Sequence, residues 1–308
     1  MMCDSKSLND VLKLEDVLVS VCITSYNRAK GLDDLLQCIR NQTHKNLQII
    51  ITDDCSTDEN VKKTILRHSQ KDKRIESYTQ NKNLFYFKNL KFALDRAIGQ
   101  FVMWCDDDDF YHHEYIEKCL SALLNNTEAI SAFSYYYEAD ELGVVDTHYP
   151  KQDKLLERLT NKNVVCRLLA YLFVFNGYGY CNIYYSLHRR SRLSWFNPEK
   201  FGLTIDMDFG MKSISISPLL LVKEHLFKKT VGNSKKYLTQ TAGKKSKLKL
   251  FDVSKKISTF FIFYIKQAIR YTRILRLDFS ILIVIFSPIW IATLFINNLY
   301  IYLKKNTF

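Results

Sequence analysis

The stretch VSVCITSYNRAKGLDDLLQCIRNQTHKNLQIIITDDCSTD, residues 19–58, decides the fold. Residues 17–25 (VLVSVCITS) are short, apolar and rich in β-branched side chains, the pattern of a buried strand. Tyr26, Asn27 and Arg28 break that run as a turn. From 31 to 40, Leu32, Leu35, Leu36 and Ile39 recur at helical spacing. Residues 47–52 (LQIIIT) give a second strand ending in Asp53 and Asp54, after which Ser56, Thr57 or Asp58 is placed to cap a helix running to about 69. Strand, helix and strand in succession make the unit of a parallel sheet.

Working outward, 74–79 reads as a third strand. Residues 88–98 read as a helix with Leu90, Ala93, Leu94 and Ala97 on one face, closed by Gly99. Strand 100–105 then delivers four consecutive aspartates, Asp106 to Asp109, and a helix over about 112–124 follows. Adjacent carboxylates repel, so a strand ending in four of them releases them where something positive gathers them. Hard divalent cations prefer such oxygens. In open parallel sheets, ligands bind at the carboxyl ends of the strands. That rule predicts that Ser25-Tyr26-Asn27, Asp53-Asp54 and Asp106–Asp109 lie together: an aromatic, a carboxylate pair and a carboxylate cluster, as a nucleotide–metal site needs. Beyond 126 the expected elements are strands over 129–137 and 179–187, a helix over 162–172, a loop from Trp195 to Leu203 and a helix over 205–214.

The eight cysteines include no CxxC pair, and several sit in apolar runs, which reads as reduced buried thiol and not as a disulfide framework or zinc site. The first residues are polar, with no apolar leader, so the catalytic part is expected in the cytoplasm. The net charge of +12 is uneven: residues 228–308 carry +14 and the rest −2. Within the basic part, Lys266, Arg270, Arg273 and Arg276 share one helical face of 257–276, as in an interfacial amphipathic helix. Residues 279–303 carry no charge. As a helix they would be about 37 Å long, against a bilayer core of about 30 Å. Pro288 interrupts them, and cations flank both sides, so spanning helix and re-entrant hairpin both stay open, with a slight preference for the hairpin. The uncharged run points the basic segment at a membrane and away from nucleic acid. No GxGxxG and no GxxxxGK[ST] occurs, which leaves dinucleotide and P-loop chemistry without support.

Taken jointly, strand, Ser25-Tyr26-Asn27-Arg28, helix, Gln42-Thr43, strand and DDCSTD resemble the N-terminal half of family 2 glycosyltransferases, which have the GT-A fold. FVMWCDDDDF (101–110) is similar to that family's metal-binding D-x-D. The resemblance is close over 18–125 and looser over 126–235. It implies an N-terminal extension (1–17), a GT-A domain (18–235) with a mixed, mostly parallel sheet flanked by helices, and a helical membrane-associated segment (236–308). The implied donor is a nucleotide-diphosphate sugar, UDP-linked by preference, bound with Mn²⁺ or Mg²⁺. Thr24, Tyr26, Arg28, Asp54, Asp106 and Asp107 are the implied donor contacts, with Tyr26 stacking on the base and Asp54 accepting from its ring N–H. Asp106 and Asp108 are the implied metal ligands, with the register inside the run open.

In LTIDMDFGMK (203–212), Asp206 falls on the position of the family's general base, with Asp208 next in line. Ile205 stands where the family has its first acid. FKKTVGNS (227–234) lacks the histidine the family often places there and offers Lys228 or Lys229 for a phosphate contact. The absence of Q-x-x-R-W speaks for single-sugar transfer, and His188–Arg192 resembles the loop before the acceptor region of such enzymes. The expected activity is inverting transfer of one sugar to a hydroxyl of a glycan or lipid-linked glycan. Its expected place is the cytoplasmic face of a bacterial inner membrane, in surface-polysaccharide assembly. The alternatives are a membrane-anchored sugar-nucleotide binder without chemistry and a nucleotidyltransferase on a similar fold. The latter needs a glycine-rich loop that Tyr26-Asn27-Arg28 does not supply.

Overall fold

The computed structural model describes residues 13–139, 145–147, 150–173, 183–200 and 205–230. In chain order the first elements are β1 (Val19–Ser25), α1 (Ala29–Arg40), β2 (Leu47–Asp53), α2 (Glu59–Lys71), β3 (Ile75–Thr79), α3 (Phe85–Leu94), β4 (Phe101–Asp106), β5 (Phe110–Tyr111) and α4 (Tyr115–Leu124). There follow β6 (Ser131–Ala139), β7 (Val145–Thr147), α5 (Pro150–Arg158), α6 (Val164–Phe173), β8 (Leu187–Arg189), α7 (Ile205–Ile216) and β9 (Leu220–Thr230). The described residues form two compact units, one drawn from 1–127 and 187–199, the other from 128–186 and the stretch from 200 on.

In the first unit the strands run in the order β3-β2-β1-β4-β8, parallel except for β8. Every residue of β1 and β2 is buried, because both faces of these strands are covered. In β3 only Ile75 is buried, as befits an edge strand. The helices follow their apolar spacing: α1 buries Leu32, Leu35, Leu36 and Ile39, and α2 buries Val61 and Ile65. The cap of α2 is Asp58, the last of the three candidates, whose carboxylate accepts from Asn60 N–H.

Gly99 has a different task from the one its sequence position suggests. α3 ends at Leu94, and a Cβ on Gly99 would lie 2.7 Å from Leu18 O and Ser20 N, so glycine is needed where the chain crosses β1. The basic stretch from His188 to Arg190 is structural too. His188 is buried and stacked on Trp104, and Arg189 donates to Leu123 O at 2.8 Å, satisfying a carbonyl in the last turn of α4. Arg190 reaches Gly99 O at 2.6 Å.

In the second unit β6 and β9 pair in parallel, with register shifts at Ser134/Tyr135 and Tyr135/Tyr136, and β7 adds antiparallel to β6. α6 and α7 pack closely. Tyr171 donates to Met207 O at 2.7 Å, and a Cβ on Gly210 would meet that hydroxyl at 2.3 Å. Buried Arg167 donates to Ile214 O at 2.8 Å and to Asn161 O and Lys162 O. The strand expected over 179–187 is not formed as such. Ile183 and Tyr184 are helical, strand begins only at Leu187, and 179–182 lie outside the described residues. The aromatic run YCNIYYS has no period-two alternation to hold a strand. Among the described residues no helix is long and apolar enough to cross a membrane. The segments over 257–303 lie outside them.

Candidate active site

The register of the first unit sets three strand ends side by side. Thr24 of β1 lies between Thr52 of β2 and Asp106 of β4, and Ser25 lies opposite Asp53. The loops that follow are tied to one another. Asn27, in the left-handed region at φ 54°, donates its N–H to Ser56 Oγ at 2.8 Å. Its side-chain oxygen accepts from Thr57 N–H at 2.8 Å and Asp58 N–H at 3.0 Å. Asparagine tolerates this backbone and supplies the acceptor, which a β-branched residue would not. Asp53 accepts from the Ser56 hydroxyl and amide and so orients the loop. Tyr26, between them, remains 44% exposed.

Asp54 is buried. Its N–H donates to Ser25 O at 2.9 Å, and one carboxylate oxygen accepts from Leu84 N–H at 2.7 Å. It therefore fixes the 81–85 turn with one oxygen. Asn89, also buried, donates to Thr52 O at 2.9 Å and accepts from Gln80 at 3.1 Å, tying α3 to the end of β2.

The four aspartates divide. Asp107 points inward: its side chain is 4% exposed, it accepts from Arg28 at 2.7 Å and from the Ser25 hydroxyl at 3.0 Å. Burial pushes its pKa up to about 6 against the pull of Arg28. The other end of the Arg28 fork reaches Asp108 at 2.9 Å. The two carboxylates hold the guanidinium well above its usual range, outweighing its own burial. Asp106, Asp108 and Asp109 each offer an oxygen, all within 4.8 Å of one another. Three hard carboxylate donors at that spacing suit Mg²⁺ or Mn²⁺. Of the expected ligands, Asp106 and Asp108 are in this group with Asp109. Asp107 and Arg28, expected on the donor, are engaged with each other.

Gly31 completes the arrangement from the helix side. A Cβ there would lie 1.9 Å from Asp107 O, so α1 and the acidic loop make backbone contact that only glycine permits. A glycine in the first turn of a well-patterned helix was the available signal. Gln42 anchors the far side of the loop, donating to His112 O at 2.8 Å and accepting from Ile116 N–H at 3.1 Å. Asp206 belongs to the second unit. It stands in the first turn of α7, partly exposed, and accepts from Met207 N–H at 2.9 Å. Ile205 before it and Asp208 after it are buried.

The sequence profile described as glycosyl transferase family 2 matches residues 20–183, more than half of the chain. The chain belongs to that family. It is 31% identical over 161 residues to an uncharacterized glycosyltransferase of Haemophilus influenzae, a match covering 50% of this chain and 48% of the relative. To TuaG of Bacillus subtilis, a putative teichuronic acid biosynthesis glycosyltransferase, it is 29% identical over 151 residues, covering 48% and 60%. To the GalNAc(5)-diNAcBac-PP-undecaprenol beta-1,3-glucosyltransferase of Campylobacter jejuni it is 35% identical over 108 residues, covering 34% and 33%. In each case the chain spans less than two thirds of the relative's length. Among solved structures, S. aureus TarS 1–349 in complex with UDP superposes with a TM-score of 0.56 at 16% identity, over 90% of this chain and 89% of that one. The chain thus has a GT-A-like fold and the sequence of glycosyl transferase family 2.

Proposed function

We propose that this enzyme transfers a single sugar, with inversion, from a nucleotide-diphosphate sugar to a hydroxyl of a glycan or lipid-linked glycan. The observation that carries the reading is the junction of exposed Tyr26, buried Asp54 and the Asp106, Asp108, Asp109 group at registered strand ends. UDP is the favoured nucleotide, a choice supported by the UDP complex of the TarS relative. Tyr26 stacks on the base and Asp54 accepts from its ring N–H. Asp106, Asp108 and Asp109 would hold Mn²⁺ or Mg²⁺, which when bound neutralises charge on the leaving diphosphate. Asp206 takes the proton of the acceptor hydroxyl.

A lipid-linked acceptor at the cytoplasmic face of a bacterial membrane fits the basic and uncharged stretches over 257–303 and the activity named for the Campylobacter relative. Incubation of the full chain with UDP-sugars, Mn²⁺ and a polyprenol-linked acceptor should release UDP. Asp206→Asn should lower the turnover by about 10²–10⁴-fold, the usual weight of a general base, with donor affinity unchanged. A chain that binds UDP-sugar but releases no UDP with any acceptor is a binding protein, and the reading fails.

A further inference from the structure

Arg28 stands where a donor contact was expected, yet its fork is spent on the acidic loop. One terminal nitrogen donates to Asp107 at 2.7 Å and the other to Asp108 at 2.9 Å. The two carboxylates are unlike. The Asp107 side chain is 4% exposed and has the Ser25 hydroxyl as its other partner, whereas that of Asp108 is 28% exposed and belongs to the Asp106, Asp108, Asp109 group. A buried carboxylate that loses its cation is left as uncompensated charge. One with access to water replaces a lost ion pair at small cost. The two arms of the fork therefore differ in how readily they let go.

We propose that Arg28 is a positioning residue that acts as the resident cation of the acidic loop: it holds Asp108 in the ligand-free protein and yields that carboxylate to a divalent ion while keeping Asp107. The inference rests on reading Asp106, Asp108 and Asp109 as a metal site. Gly31 makes the exchange a side-chain event, because the backbone at Asp107 is pressed against α1 and cannot follow Asp108 outward. By holding Asp107 inward, Arg28 also sets which members of an otherwise uniform run face the ion.

A guanidinium can bind two carboxylates at once, and a lysine ammonium is a single point charge on a shorter reach. Arg28→Lys keeps the charge, but one nitrogen on a shorter stem replaces the two guanidinium nitrogens that reach the two carboxylates separately, and the buried Asp107 retains it. Asp108 is then released. Titration of Mn²⁺ alone into the full-length protein, read by the electron paramagnetic resonance of free Mn²⁺, should show Arg28→Lys binding about threefold to fivefold more tightly than wild type, the scale of one partly exposed ion pair. The gain should vanish in Arg28→Lys/Asp108→Asn. Equal or weaker binding by Arg28→Lys overturns the proposal.

A second measurement needs no variant. With Mg²⁺ added to wild type, the Arg28 Nε–H signal in arginine-labelled protein should shift and saturate with the ion, and a signal that stays put overturns the exchange. If neither wild type nor Arg28→Lys binds Mn²⁺, with or without UDP, the metal reading itself falls and takes the proposal with it. Normal Mn²⁺ binding without the lysine gain fails the proposal alone.

Discussion

The two ends of the β3-β2-β1-β4 sheet treat polar groups in opposite ways. At the amino end they close on each other. The Gln48 amide uses both ends: its oxygen accepts from the Ser20 hydroxyl at 2.6 Å and Ile98 N–H at 3.0 Å, and its nitrogen donates to Glu76 at 3.0 Å and Arg96 O at 3.1 Å. The Ser20 hydroxyl in turn accepts from Gly99 N–H, and Asp72 is gripped by Arg40 and Arg74. At the carboxyl end Asp53, Asp54 and Asp106–Asp109 gather, and the Arg28 fork reaches two of them. A closed network holds the fold together, while a concentration of one charge sign costs stability and is a common mark of a functional site.

The largest expected effect separates the two ends outright. Asp108→Asn should cost at least about 100-fold in UDP release, beyond what loss of a ligand's mere support costs, with the urea midpoint unchanged or raised. Activity that survives would show that the acidic end is not where the chemistry happens. The mirror experiment is Gln48→Leu. It strands the partners of a buried amide and should lower unfolding free energy by about 2–4 kcal/mol, leaving KM for the donor as it was. Should Gln48→Leu alter KM and leave stability alone, the division of labour would be reversed.

Gly31→Ala tests the junction between helix and acidic loop. The added methyl cannot fit against Asp107 O and should cost about 1–3 kcal/mol through overpacking, together with a weaker Mn²⁺ affinity. An alanine variant with native stability and native Mn²⁺ binding would mean the loop is free of α1.

The smallest effect is a pair of opposite pH slopes in metal-free buffer. Hydrogen bonds from Arg74 foremost, with help from Arg40, hold Asp72 at about 2, below its ordinary 3.8. Its stabilisation is full above about pH 4 and is lost as pH falls toward about 2. Asp107 runs the other way: raised by burial to about 6, it keeps a proton that the unfolded chain releases, so stability falls as pH rises from about 4 to about 6. Asp72→Asn should flatten the acid limb and Asp107→Asn the upper one, each by about 1 kcal/mol once solvent screening is allowed for. Urea midpoints taken at unit pH steps would show it, and a single shared slope would erase the contrast.

Much of this was legible in the chain. Apolar runs gave the strands, leucine spacing gave α1, and the rule for parallel sheets gave the meeting of the three loops, which the register of β1, β2 and β4 bears out. The division of the aspartate run was not legible. Four identical residues carry no internal mark, and the partners that sort them, Ser25, Arg28 and Gly31, lie some eighty positions away. Asn27 stood in view within the Ser25-Tyr26-Asn27-Arg28 motif, but its bonds to Thr57 and Asp58 follow only from the fold. The arginines after His188 resembled the loop before an acceptor region, because carbonyls awaiting donors, at the end of α4 and at Gly99, leave no trace in sequence.

One consequence follows from Trp104. It lies two residues before Asp106 on β4, buried, with His188 stacked on it at 4.5 Å and Phe196 stacked at 5.1 Å. An indole held against an imidazole emits differently when their spacing shifts slightly. Nature has thus placed an optical gauge beneath the acidic run, and its emission, with Trp104→Phe as the blank, can follow the filling of that end of the sheet in unlabelled protein and in real time.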